Sequence, residues 1–260
     1  MSILLAAEGD GFVSPGPSDF VYPGILGSFV TKPILIIVLG TLAVGVFYYL
    51  AARRAAVVPD KMQFAGESLY GFVRNDIALD AIGHEGMKFV PYLATLFSFI
   101  AVLNLSGIIP FLQFPATSSI AIPLFLAVVS WVIFLYQGIK RQGFVKYFKD
   151  MMFPPGIPWP VYILLAPIEF FSTVIVRPLT LTLRLTFNMF AGHLVLLLFI
   201  LGGEYLLVHY GGIVGIAAGS VSLLGSIVLT FFEGFVQILQ AYVFTLLSAL
   251  YIGGALADEH

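Results

Sequence analysis

Long apolar runs alternate with short polar breaks along this chain, and the runs lengthen toward its C-terminal end. The first run covers 29–52 and is followed by Arg53 and Arg54. A more polar stretch, 57–88, comes next. Within it Met62, Ala65, Leu69, Phe72, Val73 and Ile77 approximate helical spacing, with Glu67, Arg74, Asp76 and Asp80 mostly on the other side. This predicts an amphipathic helix lying on a membrane surface; a plain solvated loop is the alternative. Two further apolar runs occupy 89–139, joined by a short polar link at 113–119. Each of these three runs is near the ~20 residues that a membrane-crossing helix needs.

The last hundred residues behave differently. One apolar run fills 161–201 and another fills 213–256, with the break GGEYLLVHYGG between them. As helices, runs of this length measure roughly 60 Å or more, against a hydrocarbon core about 30 Å thick. Either each run is two spans or each is one oblique helix. Two spans need an internal turn, for which Pro167, Pro178, Gly219 and Gly225 are the available breakers. Neither run holds a polar loop, which favours two long, strongly tilted helices in a hairpin over 161–256. The expected fold is therefore an all-α integral membrane protein. It has about three upright transmembrane helices, a surface amphipathic helix and the tilted hairpin, all in a single membrane domain.

Composition agrees: 60% of residues are hydrophobic and only 10% are charged, against about 25% charged in soluble domains. No segment has a soluble domain's charge density. No basic patch with interleaved aromatics suggests nucleic acid. The absence of cysteine excludes disulfides, cysteine-bound zinc and thiol catalysis. The start, MSILLAAEGDGF, has no basic region ahead of a long apolar one, so no cleavable signal peptide is expected. Residues 1–28, with Glu8, Asp10 and Asp19, read as an acidic arm. Arg53, Arg54, Lys140, Arg141, Lys146 and Lys149 cluster after the first and third runs, which places those loops inside and the N-terminal arm outside. The C-terminal ADEH then lies inside.

An arginine at the centre of a membrane helix costs about 2.5 to 3.5 kcal/mol, so such a residue faces the protein interior or water. The first long run carries Arg177, Arg184, Asn188 and His193. At about 100° per residue, Glu169, Arg177, Thr180, Arg184 and Asn188 share roughly a third of the circumference. His193 falls on the opposite side. On the second run Ser226, Glu233, Gln237 and Gln240 form another stripe. Arg177 is near enough to the inside loop to snorkel; Arg184 is deeper. His193 is nine residues beyond Arg184, and Glu233 is seven before Gln240. In an antiparallel hairpin, if Arg184 and Gln240 are level, His193 and Glu233 are nearly level too. The middle of the break is nearer residue 207 than 212, so this register requires the two helices to be offset or differently tilted. A His–Glu pair suits a proton relay. With Glu169 further inside, titratable groups flank a fixed positive charge. No carboxylate stands three or four residues from Arg184, so its counter-ion is expected from another subunit.

PLTLTLRLTFNMFAGHL and VQILQAYVFTLLSALYI, together with KFVPYLATLF, NLSGIIP and ADEH, resemble the subunit a family of F-type ATP synthases. The resemblance covers most of the chain from about Pro59 onward. It maps the family's essential arginine onto Arg184, its asparagine onto Asn188, its glutamine onto Gln240 and an inner half-channel position onto Glu169. Many members carry an acidic residue at the position of His193 and a histidine at that of Glu233; here the two are exchanged. Some members have an aspartate where this chain has Thr117, Ser118 and Ser119, so Glu204 and His209 are further candidates for the outer mouth. The resemblance implies a non-catalytic proton-translocating subunit without a cofactor or metal. Protons enter past His193 and Glu233, neutralise a carboxylate on a partner c-ring, and leave past Glu169 after the ring turns. Arg184 is the barrier; Gln240, Asn188, Thr180 and Arg177 support it. Implied partners are the c-ring, b-type peripheral-stalk subunits and the rest of the complex, in a bacterial plasma membrane. A Na⁺-driven version of the same machine stays open, since the ring's ion site is not in this chain. A secondary transporter is the rival reading, but the internal repeats of that class are not evident. A purely structural scaffold would not need aligned polar stripes.

Overall fold

The computed structural model describes residues 12, 14–16, 32–53, 56–109, 115–153, 159–210 and 212–256. Most of the expected N-terminal arm, the first part of the 113–119 link and the terminal ADEH lie outside the described residues. Among the described residues every regular element is helical, as expected for an all-α membrane protein. Five helices are long and apolar enough to cross a membrane: Lys32–Arg53, His84–Leu105, Ala121–Gln142, Val161–Tyr210 and Gly212–Leu256.

Helix α1 is Lys32–Arg53. Helix α2, Lys61–Phe72, starts at Asp60, whose carboxylate accepts the Met62 N–H at 2.7 Å and caps the first turn. A π-turn at Val73–Leu79 and the short α3, Asp80–Ile82, continue it. The face that packs is only partly the one that simple helical spacing selects: Val73 and Ile77 are buried as expected, and Glu67, Arg74, Asp76 and Asp80 are exposed. Met62 and Phe72 are exposed, whereas Gln63, Gly66, Val73, Ile77 and Ala78 are buried. Two causes are visible. Gly66 allows α1 to come close, since a Cβ there would lie 2.6 Å from the Ala51 side chain. The π-turn then absorbs an extra residue and shifts the phase.

Helix α4, Val90–Leu105, follows a 3₁₀ turn at His84–Phe89. Helix α5 is Ala121–Gln142 and α6 is Phe144–Met152. Gly143, at φ 84°, makes the corner between them. Helix α7, Trp159–Phe171, runs through a π-turn at Ser172–Val176 into α8, Arg177–Tyr205, and on through a second π-turn at Leu206–Tyr210. Helix α9 is Gly212–Leu256.

The first long run thus contains no break in its helix. The chain is helical from Trp159 to Tyr210, and most of the GGEYLLVHYGG break is helix rather than loop. The reversal is confined to the step into Gly212, whose φ of 69° suits glycine. A turn there, rather than near 207, leaves Arg184 and Gln240 almost equally far from it, so the hairpin needs no offset.

Helix α8 packs along α9, while α5 lies against both and α4 lies against α9. The shared core is apolar: Val73, Leu93, Ile100, Leu185, Met189 and Phe244 are almost fully buried. Near the turn the hairpin closes over glycines. A Cβ on Gly219 would lie 2.6 Å from Leu207 Cγ and 2.9 Å from the Gly203 carbonyl. Small residues let membrane helices approach this closely. Large apolar side chains cover the outside, with Phe231, Phe232 and Phe235 of α9 all exposed.

Candidate functional site

The inner side of α8 is apolar through Leu181, Leu185 and Met189, all buried. Arg184 is consequently turned outward and is exposed. Among the described residues no ion pair reaches its guanidinium. Thr180, one turn earlier, spends its hydroxyl on its own helix, donating to the Val176 carbonyl at 2.7 Å. Asn188, one turn later, is also exposed, and its Nδ2 donates to Gln240 Oε1 at 2.8 Å. The bond to α9 is therefore made by Asn188 rather than by Arg184. It brings Gln240 to the arginine's level within one turn and leaves the guanidinium free of Gln240.

His193 occupies the opposite side of α8 and is buried. Its Nδ1 lies 4.0 Å from Glu233 Oε1 on α9. Gly192 lies beside that carboxyl; a Cβ there would stand at an ordinary contact distance of 3.6 Å. Glu233 Oε1 also accepts the Gln237 amide at 3.2 Å. The stripe read on α9 faces inward as a unit, since Ser226, Glu233, Gln237 and Gln240 are all buried.

Helix α4 adds a part that helical phase did not single out. Asn104, fully buried, donates from Nδ2 to the Gln237 carbonyl at 3.1 Å. Its Oδ1 accepts the Thr117 hydroxyl at 2.6 Å. NLSGIIP did signal a polar residue in an apolar span, but nothing local indicated that its partner lies on α9. Thr117 is fully buried on Asn104, while Glu204 and His209 are exposed near the hairpin's turn. The His209 ring stacks on Tyr205 at 5.2 Å.

At the other end, Glu169 of α7 lies 3.7 Å from Arg177. Arg177 does not simply reach outward. Its guanidinium sits 5.2 Å above the Tyr251 ring and 6.0 Å from that of Phe134, a cation–π arrangement with helices α9 and α5. Among the described residues no cluster of three or more His, Asp or Glu residues is arranged to hold a metal.

Three levels result. Glu169 and Arg177 lie toward one end, Arg184 with the Asn188–Gln240 bond lies in the middle, and His193 with Glu233 lies toward the turn. A fixed cation on the outer face stands between two groups of titratable side chains.

The family model described as ATP synthase A chain matches residues 34–253. A protein of a Nocardioides species named ATP synthase subunit a is 50% identical, the match covering 100% of this chain and 98% of that protein. Its counterpart in Frankia alni is 47% identical over 96% of this chain and 89% of its own length. The Streptomyces lividans protein of the same name is 43% identical over 97% and 91%. Matched nearly end to end by relatives of one name, and folded into apolar helices that bring its arginine, histidine and carboxylates onto one helical pair, this chain belongs to the ATP synthase subunit a family.

Proposed function

We propose that the chain provides two offset proton half-channels beside a c-ring, and that ring rotation results from proton passage between them. The observation that carries this reading is the opposed placement of Arg184 and His193. One is exposed on the outer face of α8, and the other is buried with Glu233 between α8 and α9.

An arginine keeps its charge at any working pH. Exposed on the outer face, Arg184 meets a carboxylate carried past by a partner. It attracts that carboxylate once deprotonated and repels a proton crossing directly. The outer path passes His193 and Glu233. Three buried polar atoms extend it along α9, since Glu233 Oε2, Gln237 Oε1 and Gln240 Nε2 have no hydrogen-bond partner among the described residues. Each can exchange hydrogen bonds with a passing water or proton carrier. The inner path leaves past Glu169.

The hairpin's shape supports a ring-shaped partner. Helices of 50 and 45 residues are roughly twice as long as the about 30 Å core is thick, so an oblique course keeps them in contact with a curved wall. Family membership supports a place in the membrane sector with c-ring and b-type stalk subunits, in a bacterial plasma membrane with the N-terminus outside and the C-terminus inside.

The test is Arg184→Ala in the assembled enzyme, reconstituted into vesicles with an imposed proton gradient. Proton-driven ATP synthesis is abolished while ATP hydrolysis by the detached soluble head persists. Substantial retained coupling removes the barrier role from Arg184.

A further inference from the structure

Glu169 and Arg177 are eight residues apart, yet their charged groups lie within 3.7 Å. In an uninterrupted α-helix, eight residues turn about 80° beyond two full turns. Side chains at that spacing diverge. Between these two, Ser172–Val176 forms a π-turn. A π-turn takes up one extra residue, so the eight-residue interval behaves as seven, within about 20° of eclipsed. Arg177 and Arg184 are themselves seven apart. The wide turn therefore puts Glu169, Arg177 and Arg184 on one slowly drifting line.

The sequence explains why the helix widens here. Pro178 has no N–H, and a proline ring crowds the carbonyl four residues earlier, here that of Val174 in the middle of the π-turn. Tertiary structure then holds the wide form. Thr173 is buried, and its carbonyl accepts a hydrogen bond from Trp131 Nε1 of α5 at 3.3 Å. The same helix α5 supplies Phe134, and α9 supplies Tyr251, to flank the Arg177 guanidinium. Two neighbouring helices thus fix both the π-turn and the cation that Glu169 meets. Single π-turns inside α-helices concentrate at functional sites.

We infer that the π-turn Ser172–Val176, pinned by Trp131, is a phasing device that turns Glu169 onto the face of Arg177 and Arg184, and that Arg177 is the positioning residue of the Glu169 carboxylate. The inference rests on reading Glu169 as the carboxylate of the inner half-channel.

Phase and function are separable by experiment. The chain has no cysteine, so Glu169→Cys is a unique reporter on it. In the assembled enzyme, labelling of this cysteine by a small membrane-impermeant thiosulfonate from the inner side is followed in two backgrounds. Deleting Val174 converts the π-turn into an ordinary turn and keeps the phase. Inserting one alanine after Val174 rotates Glu169 by about 100°. The deletion is expected to hold the labelling rate within about threefold, and the insertion to lower it at least about tenfold, because only the insertion moves the side chain off the arginine line. With Glu169 restored, proton-driven ATP synthesis follows the same order. Equal losses in both, or none in either, overturn the phasing role.

Trp131→Phe keeps every helix intact and carries the test should the deletion fail to assemble. It is expected to slow labelling in the full-length helix, and the Val174-deleted helix loses nothing further wherever that variant assembles. An unchanged labelling rate for Trp131→Phe in the full-length helix overturns the pin. Should Glu169→Gln keep full ATP synthesis while the labelling pattern holds, the inner-channel reading falls and the phasing geometry stands.

Discussion

The His193 Nδ1 and the Glu233 Oε1 are 4.0 Å apart, and the two side chains are buried to the same degree, 5% and 6% exposed. Both side chains are buried between α8 and α9, and Glu233 Oε1 also accepts the Gln237 amide at 3.2 Å. Their relation runs across the hairpin, which makes it a property of the pair.

A pair of this kind is expected to tolerate exchange better than loss. His193→Ala and Glu233→Ala each lower proton-driven ATP synthesis by at least about tenfold, while the exchange of His193→Glu with Glu233→His stays within about threefold, because coupled sites are non-additive. Synthesis rates in vesicles under a fixed gradient measure this. Equal loss in all three variants separates the two residues.

The Asn104 amide is a second long-range contact, made to the main chain of Gln237. Asn104→Ala leaves the buried Thr117 hydroxyl without its acceptor and should cost about 1–3 kcal/mol of stability. Thr117→Val should cost less than this and add little on top of Asn104→Ala. Thermal denaturation of the purified complex reads both. Full additivity would show that the two side chains act separately.

Close approach near the hairpin turn depends on Gly219. Gly219→Val places branched carbons against the Gly203 carbonyl, which as backbone cannot swing aside. Overpacking of this kind costs about 1–3 kcal/mol. The yield of assembled complex should fall, and Leu207→Ala should recover little of it, since the backbone oxygen stays in place.

At the opposite end Gly138 faces the Tyr147 ring so closely that a Cβ cannot be accommodated there. Gly138→Ala should destabilise, and Tyr147→Ala should relieve much of that cost. Burial also raises the Tyr147 phenol above its ordinary value, with nearby Arg177 partly opposing the shift. A raised acid loses stability as it ionises. The Tyr147 contribution is thus fully present below the ordinary tyrosine value of about 10 and is lost as pH rises through the folded value. Tyr147→Phe should flatten the alkaline limb of a stability–pH curve; an unchanged limb would assign it to other groups.

Surface charge should matter little by comparison. Arg141 and Glu85 form an exposed ion pair, and such pairs are worth about 0–1 kcal/mol. Glu85→Gln should leave thermal stability within that range, and a larger drop would mark the pair as structural.

How much of this was legible beforehand depends on the range of the interaction. Apolar length and helical period are local, so the helices, the two polar stripes and the near level of His193 with Glu233 could be read from residue order alone. The stretch GGEYLLVHYGG reads as a break between the two runs because glycines and polar residues weigh against helix locally, whereas packing of Gly203 and Gly215 on the opposite arm keeps most of it helical. Phase arithmetic assumes a constant turn per residue. It therefore could not anticipate the π-turn that brings Glu169 under Arg177, nor could it tell that α1 would pack on the Gln63 and Gly66 side of α2 and leave Met62 exposed.

The sequence by itself determined that this is a helical membrane protein, which residues are too polar for lipid, and on which helix face each lies. Those follow from transfer energy and helix geometry, which act residue by residue. Only the tertiary structure decided that Arg184 points outward unpaired with Gln240, that Asn104 holds Gln237 from 133 positions away, and that the turn falls at Gly212. Those depend on which surfaces approach closely enough to exclude one another, a matter of packing between segments far apart in the chain.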